Sequence, residues 1–523
     1  MEPLELDELQ YLHAMATERV LAPAEGRDPC DLAQVGWGVV FPADGDPAVR
    51  AALRDLLDHR RQQATARDPA YYREFWGEAG YRPGESKSQF LARHGAAPGP
   101  VDPARVPYYL LLVGDGLAIP FAVQYQLDVQ YAVGRVSFDT PQEYRRYAVG
   151  VVQAETGGAQ RRREVAFFAP QNPDDKATER SRRDLVEPLA QRLAAEQTNW
   201  QVNTAVADEA TKRCLGDLMG GERTPALLVT ASHGLGWPVG HPHQSDRQGA
   251  LVCQEWPGPR AKAPLSDGEY LSAGDVPDEA DVHGLIAVLF ACYGVGTPEW
   301  DMFDHRDEGA GPGRLAGGPL VSALPRRLLA HPRGGALAVA GHVDKAWGYS
   351  FTWPGAGRQS EVYRSCLVRL LSGHTIGSAF EYINQRYAEL SADLTAALEE
   401  VRYGRRPDHL SLATMWTANN EARACIVLGD PAVRLVSSVT VDPVTQHGRP
   451  AAGPDLPPDS VSAVPADATV GSPTGADAGP DLVAAVHRLT GAVERLAESV
   501  DRLGEEVRAA RSTTTPNDGG QGR

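Results

Sequence analysis

Two stretches of this chain share one pattern. TPALLVTASHGLGWP (224–238) and LIAVLFACYGVGTP (285–298) are apolar, β-branched runs that stop at a small residue, then one reactive side chain, then glycines. The first delivers His233 and the second Cys292. An imidazole can take the proton of a neighbouring thiol, and the thiolate is the nucleophile. Gly234 has no Cβ, so its N–H can turn toward a substrate carbonyl. With the N–H of Cys292 it would form an oxyanion hole, in which one donor is typically worth about 3–4 kcal/mol of barrier. Gly294 and Gly296 permit the tight turn after the cysteine. Taken singly, a strand-end cysteine is a small buried hydrophobe and a His-Gly pair is a turn. Together, at equivalent ends of two strands and in histidine-then-cysteine order, they spell nucleophilic attack on an amide carbonyl.

Such groups need a frame that brings strand ends side by side. Residues 1–105 mix helical pattern with turns, and read either as an integral α/β subdomain or as an inhibitory prosegment. VGWGVVFPAD is a strand there, and DPAVRAALRDLLDHRRQQA a helix opened by Asp46 and Pro47. From 106 to 437 strand and helix alternate. PYYLLLVGDG, VQYAVGRVSF, EVAFFAP, ALLVTASHG, LIAVLFACYG, GALAVAGHV and ACIVLGDPAVRL are strands. Thr140, Pro141 and Glu143 begin a helix with a capping box. Continuous apolar runs between helical patterns predict an α/β fold, a mostly parallel sheet sandwiched by helices. In such sheets functional groups collect at the carboxyl ends of the strands.

Residues 438–479 turn to Pro, Ala, Gly, Asp, Ser and Thr, the composition of a disordered linker. Residues 480–511 then carry Leu482, Val486, Leu489, Val493, Leu496, Val500, Leu503 and Val507, a heptad seam with Val at a and Leu at d. That pattern predicts a C-terminal coiled-coil helix that pairs with a second copy or a partner; the alternative is an amphipathic helix folded back on the core. Residues 512–523 read as a disordered tail.

The chain of 523 residues carries a net charge of −17, which argues against nucleic acid and acidic membranes as partners. The start, MEPLELDELQYLHAMATERV, is acidic rather than a secretion signal, and no apolar run reaches the length of a membrane span. Cys30, Cys214, Cys253, Cys292, Cys366 and Cys425 have no paired spacing. A reduced, cytoplasmic setting without disulfides is expected, and no metal or other cofactor.

At the histidine and cysteine strands the sequence resembles the gingipain-type cysteine peptidases of the caspase-like clan. YYLLLVGDGLAIP, QLDVQYAVGRVSFDTPQEYRRYAVGVVQAE, TASHG with FACYG, ALAVAGHVDKAWG and VLGDPAVRL resemble its stretches in the family's order, over about 108–437. The resemblance implies a caspase/gingipain-like fold and an endopeptidase acting on protein or peptide. It implies His233 as general base, Cys292 as nucleophile, Gly234 and the Cys292 backbone as oxyanion hole, and Trp347 as the wall of the specificity pocket. A third catalytic acid would lie in PQNPDDKA, where Asp174 and Asp175 are the candidates; a plain helix-capping turn is the other reading. Asp344, three residues before Trp347, would select Arg or Lys, unless Lys345 neutralises it.

Other constellations read more plainly. His241, His243 and Asp246 form a solvated polar loop, metal being the sharper alternative. DMFDHRDEGAGPG (301–313) is an acidic surface loop with calcium as its sharper alternative. Asp115 and Asp128 are structural strand-end carboxylates with Arg135 a partner for one of them. The rival to a peptidase is a catalytically silent caspase-like scaffold that assembles partners through its coiled coil. A thiol-dependent amidase or transpeptidase would share the same site logic.

Overall fold

A computed structural model describes residues 23–24, 26–262, 264–303, 313–403, 405 and 408–437. The linker, the heptad segment 480–511 and the tail 512–523 lie outside the described residues, as do 304–312 of the acidic loop.

Among the described residues, ten strands form one sheet. They are β1 (Trp37–Val40), β2 (Tyr72–Phe75), β3 (Tyr109–Val113), β4 (Ala132–Val136), β5 (Glu164–Ala169), β6 (Gln201–Val206), β7 (Leu227–Ala231), β8 (Ile286–Phe290), β9 (Ala338–His342) and β10 (Cys425–Gly429). Their spatial order is β2-β1-β3-β4-β10-β9-β8-β7-β5-β6. Every neighbouring pair is parallel except one: β9 and β10 are antiparallel, from Ala338 beside Gly429 to His342 beside Cys425. The sheet is therefore two parallel halves running in opposite directions. The strand runs and their burial follow directly from sequence: all five residues of β3, β4, β7, β8, β9 and β10 are buried, as continuous apolar strands covered on both faces must be. The reversal between halves was not expected, because one apolar run looks alike in either direction.

Residues 37–75 supply two strands of this sheet, so the described part of the N-terminal 105 residues is continuous with the rest. A buried polar network ties it to the end of the core. Arg60, 1% exposed, donates to Asp430 at 2.6 Å and to Glu155 at 2.6 and 2.7 Å. Asp430, fully buried, also accepts from the Trp37 indole at 3.0 Å. Burial alone would raise the Glu155 carboxyl, but Arg60 and His59 hold it down at about 2.

Several helices differ in detail. The 46–64 helix is two, Pro47–Ala52 and Arg54–Ala64, meeting at Leu53. Residues 376–402 form the short helix Ile376–Ala379 followed by one long helix, Glu381–Arg402. The capping box of Thr140 and Glu143 opens helix Pro141–Gln153 as the sequence predicts. Arg135 is fully buried, but its partners are the carbonyls of Gly114, Asp115 and Ile119 and the Gln124 side chain, not a carboxylate. Its guanidinium fastens the turn after β3, and the Asp115 carboxylate accepts the Leu117 and Ala118 N–H groups of that same turn.

Candidate active site

β7 and β8 pair in register, Leu227 beside Ile286 through Ala231 beside Phe290. The Ser232 N–H donates to the Phe290 carbonyl at 3.1 Å and carries the pairing one residue further. His233 and Cys292 thus leave adjacent strands at the same level. Gly234 then bridges Leu251 through bonds made by its neighbours, Leu235 N–H to Ala250 and Val252 N–H to His233, both 2.9 Å. In that pairing the N–H of Gly234 itself faces away from Leu251. On its other side lies the Cys292 backbone. A Cβ at position 234 would sit 1.8 Å from the Cys292 carbonyl oxygen and 3.1 Å from its nitrogen, so only glycine fits. Among the described residues, neither the Gly234 nor the Cys292 N–H is donated to another residue.

The loop after β5 brings a carboxylate to the imidazole. Asp175 caps helix Lys176–Arg180, accepting from the Ala177 and Thr178 N–H groups and from the Thr178 hydroxyl at 2.8 Å. The same oxygen that takes the Thr178 hydroxyl lies 2.7 Å from His233 Nε2. Burial alone would raise this carboxyl; the bond and charge of His233, with the Thr178 and Ala177 donors, outweigh it and bring it down to about 2. A carboxylate on Nε2 keeps the proton there and leaves Nδ1 as the acceptor nitrogen. Asp174 does not join them. Its backbone turns into the left-handed region, φ 56°, and its exposed carboxylate meets Arg260 at 3.3 Å.

The third strand end belongs to β9. Asp344 is 4% exposed, and its carboxylate accepts the Lys345 N–H at 2.8 Å. Burial is the main cause that lifts it to about 6; the Lys345 N–H opposes, Asp301 adds to the lift, and the Lys345 and Arg423 charges oppose it. Lys345 does not cover it, because its Nζ pairs with Asp301 at 2.5 Å. Cys292 Sγ lies 3.4 Å from the Ala346 N–H. Burial raises the Cys292 thiol above its ordinary value; the Ala346 N–H pulls it down, Asp344 pushes it further up, and Lys345 opposes. Burial here therefore disfavours the thiolate form of Cys292. Trp347 stands on the rim, 39% exposed, its ring 5.7 Å from that of Phe303.

Two sets of supporting residues were not legible in sequence. Trp256 sets its ring edge-on to His233 at 5.5 Å. Its loop is stitched to the Asp175 loop by Asn172, which donates to the Cys253 and Trp256 carbonyls at 2.9 and 3.0 Å, and by Gln254, which bonds Gln171 in both directions. Gly258 completes the seam: a Cβ there would meet the Pro173 carbonyl oxygen at 1.9 Å. Behind the Asp344 loop, fully buried Glu421 accepts from His342 at 2.7 Å, from Arg386 at 3.1 Å and from the Ser350 hydroxyl. Tyr293, just after Cys292, is held at φ 57° with its N–H on the Asp344 carbonyl at 3.0 Å. A non-glycine residue held there costs of order 1–3 kcal/mol and persists only where its surroundings overdetermine it.

The remaining candidates do not converge here. His241 stacks on Trp237 at 4.7 Å and His243 lies 3.7 Å from Asp246, a loop built on ring contacts. Among the described residues no group of three His, Cys, Asp or Glu side chains is placed to hold a metal ion, and no helix is long and apolar enough to cross a membrane.

No family model matches the chain, and no curated protein matches it. Solved structures do. A complex of the Porphyromonas gingivalis RgpB pro- and mature domains is similar at 13% identity and TM-score 0.43, over 77% of this chain and 79% of that one. The crystal structure of the Arg-specific cysteine proteinase gingipain R is similar at 12% and TM-score 0.45, over 79% and 80%. A third, titled only as the structure of a protease, is similar at 13% and TM-score 0.40.

Proposed function

We propose that this chain is a cysteine peptidase whose working groups are Cys292, His233 and Asp175. The observation that carries the reading is the Asp175–His233 bond at one strand end beside Gly234 packed on the Cys292 backbone at the next. His233 Nδ1 takes the thiol proton as sulfur attacks the substrate carbonyl. The N–H groups of Gly234 and Cys292 receive the oxyanion. His233 returns the proton to the departing amine, and water then hydrolyses the thioester. Because burial disfavours the Cys292 thiolate, proton removal belongs to the attack step rather than preceding it.

The finer reading is cleavage after Arg or Lys. Asp344 is buried near Cys292, and Lys345 turns to Asp301 instead of covering it. A basic side chain of the substrate would supply the missing counter-charge. Unpaired cysteines throughout support action in a reduced, cytoplasmic setting, and the heptad pattern of 480–511 supports pairing with a second copy or a partner.

A silent scaffold is the second reading, and the raised Cys292 thiol favours it. A peptide-library cleavage profile on the full chain, run beside Cys292→Ala, decides. Turnover lost in the variant and ending after Arg or Lys supports both levels. Turnover unchanged in Cys292→Ala rejects the peptidase assignment.

A further inference from the structure

A groove of about 1200 Å³ lies away from Cys292. It runs between helices Pro47–Ala52 and Pro141–Gln153 and the 331–334 turn. That turn leads into the amino end of β9, whereas Asp344 follows the carboxyl end of the same strand. The groove therefore belongs to the opposite edge of the sheet.

Its charge is unusual for a chain of net −17. Arg54, Arg145, Arg146 and Arg333 line it against a single acid, Asp55. Elsewhere most arginines are matched: Arg60, Arg93, Arg161, Arg327 and Arg364 each meet a carboxylate. Arg54, Arg145 and Arg146 have no carboxylate within ion-pair distance among the described residues, and Arg333 reaches only the Glu279 carbonyl at 2.7 Å. Apart from Asp55, the acids nearby are already used. Glu143 closes the capping box of the 141–153 helix, Asp139 pairs with Arg326, Asp278 with Arg327 and Asp58 with Arg61. His331 is fully buried with its ring on the Pro277 carbonyl, and burial lowers its pKa, so it adds no charge.

The floor is small. Ala48, Ala51, Ala52 and Gly150 leave the helix backbones close to any occupant. Guanidinium forks match phosphate oxygens two at a time, and charge-assisted bonds of this kind are among the strong ones. Single carboxylates strung along a peptide would engage such forks one by one and gain less from a compact groove. We propose that this groove binds a small molecule carrying two or more linked phosphate groups.

Calorimetric titration of the full chain with inorganic tripolyphosphate tests this, with orthophosphate and oligoglutamate as companion probes. Tripolyphosphate binds, and orthophosphate binds at least tenfold more weakly. Arg145→Glu with Arg146→Glu weakens tripolyphosphate at least tenfold. Ala51→Trp, which fills the floor without changing charge, weakens it likewise, and Arg192→Glu on a distant helix leaves it within twofold. Thermal melts confirm that each variant is folded. Absence of tripolyphosphate binding overturns the proposal. So does equal weakening by Arg192→Glu, which would mark bulk charge, or tighter binding of oligoglutamate, which would mark an acidic-peptide surface.

Discussion

The two halves of the sheet present opposite treatments of their strand ends. Where β3 and β4 finish, charge is consumed by structure: Arg135 spends its donors on three carbonyls and an amide, and Asp115 caps its own turn. Beyond β10, Asp430 is enclosed by Arg60 and Trp37. Where β5, β7, β8 and β9 finish, partners are left over. His233 keeps one ring nitrogen unassigned, the Cys292 sulfur meets only the Ala346 backbone N–H and carbonyl, and Asp344 accepts a single bond from its neighbour's backbone. Groups of the same chemistry are locked on one side and held in readiness on the other. Incomplete satisfaction inside a rigid surround, more than the presence of reactive residues, marks the working edge.

That contrast is open to attack, beginning with the largest effect. Gly234→Ala forces a methyl into the Cys292 backbone, so peptide hydrolysis should fall by at least about 10²–10³-fold, the scale of losing an oxyanion donor; initial rates with a saturating substrate measure it. In the other half, Asp430→Ala leaves Arg60 buried without one of its carboxylates. It should cost about 3–5 kcal/mol in urea unfolding, with kcat of the surviving folded fraction unchanged. If Asp430→Ala slowed turnover as severely as Gly234→Ala, the division of labour between halves would be wrong.

Asp175→Ala comes next. It removes the group that orients His233, and turnover should drop on the order of 10–100-fold. Asp174→Ala, one residue away, should change little. The smallest effect concerns pH. Asp344 is held up at about 6, so it is charged only above that value. Preference for an Arg over a Gln substrate should grow as pH rises through 6, and Asp344→Asn should flatten the profile. The sign for stability is opposite: a carboxyl raised in the folded state favours folding below its unfolded pKa and loses that contribution as pH climbs through about 6. Asp344→Asn should therefore melt higher than the parent at pH 8.

Much of this was readable from residues alone. The strand runs, the Thr140 capping box and the placement of His233 beside Cys292 followed from local pattern, because apolar runs and caps act over a few residues. Asp175 could not be told from Asp174 in sequence. The choice depends on which carboxylate caps the helix and which takes a positive φ, and two adjacent aspartates satisfy a linear pattern equally. Trp256, Asn172 and Glu421 were invisible for another reason: each works through contacts across about 25–80 positions, and no local signal marks such a partner. Asp344 was singled out in sequence, but its isolation from the Lys345 ammonium was not, since neighbours in sequence diverge when one points inward and the next reaches out to Asp301.

The antiparallel junction has a consequence for how the protein comes into being. β10 is the final strand of the core, yet it lies in the middle of the sheet, zipped to β9 on one side and touching β4 on the other. During synthesis the two halves must wait, unjoined, until residues 425–429 clear the ribosome. The joined sheet would arrive all at once and late, so a nascent or prematurely terminated chain would carry Cys292 without a finished platform beneath it.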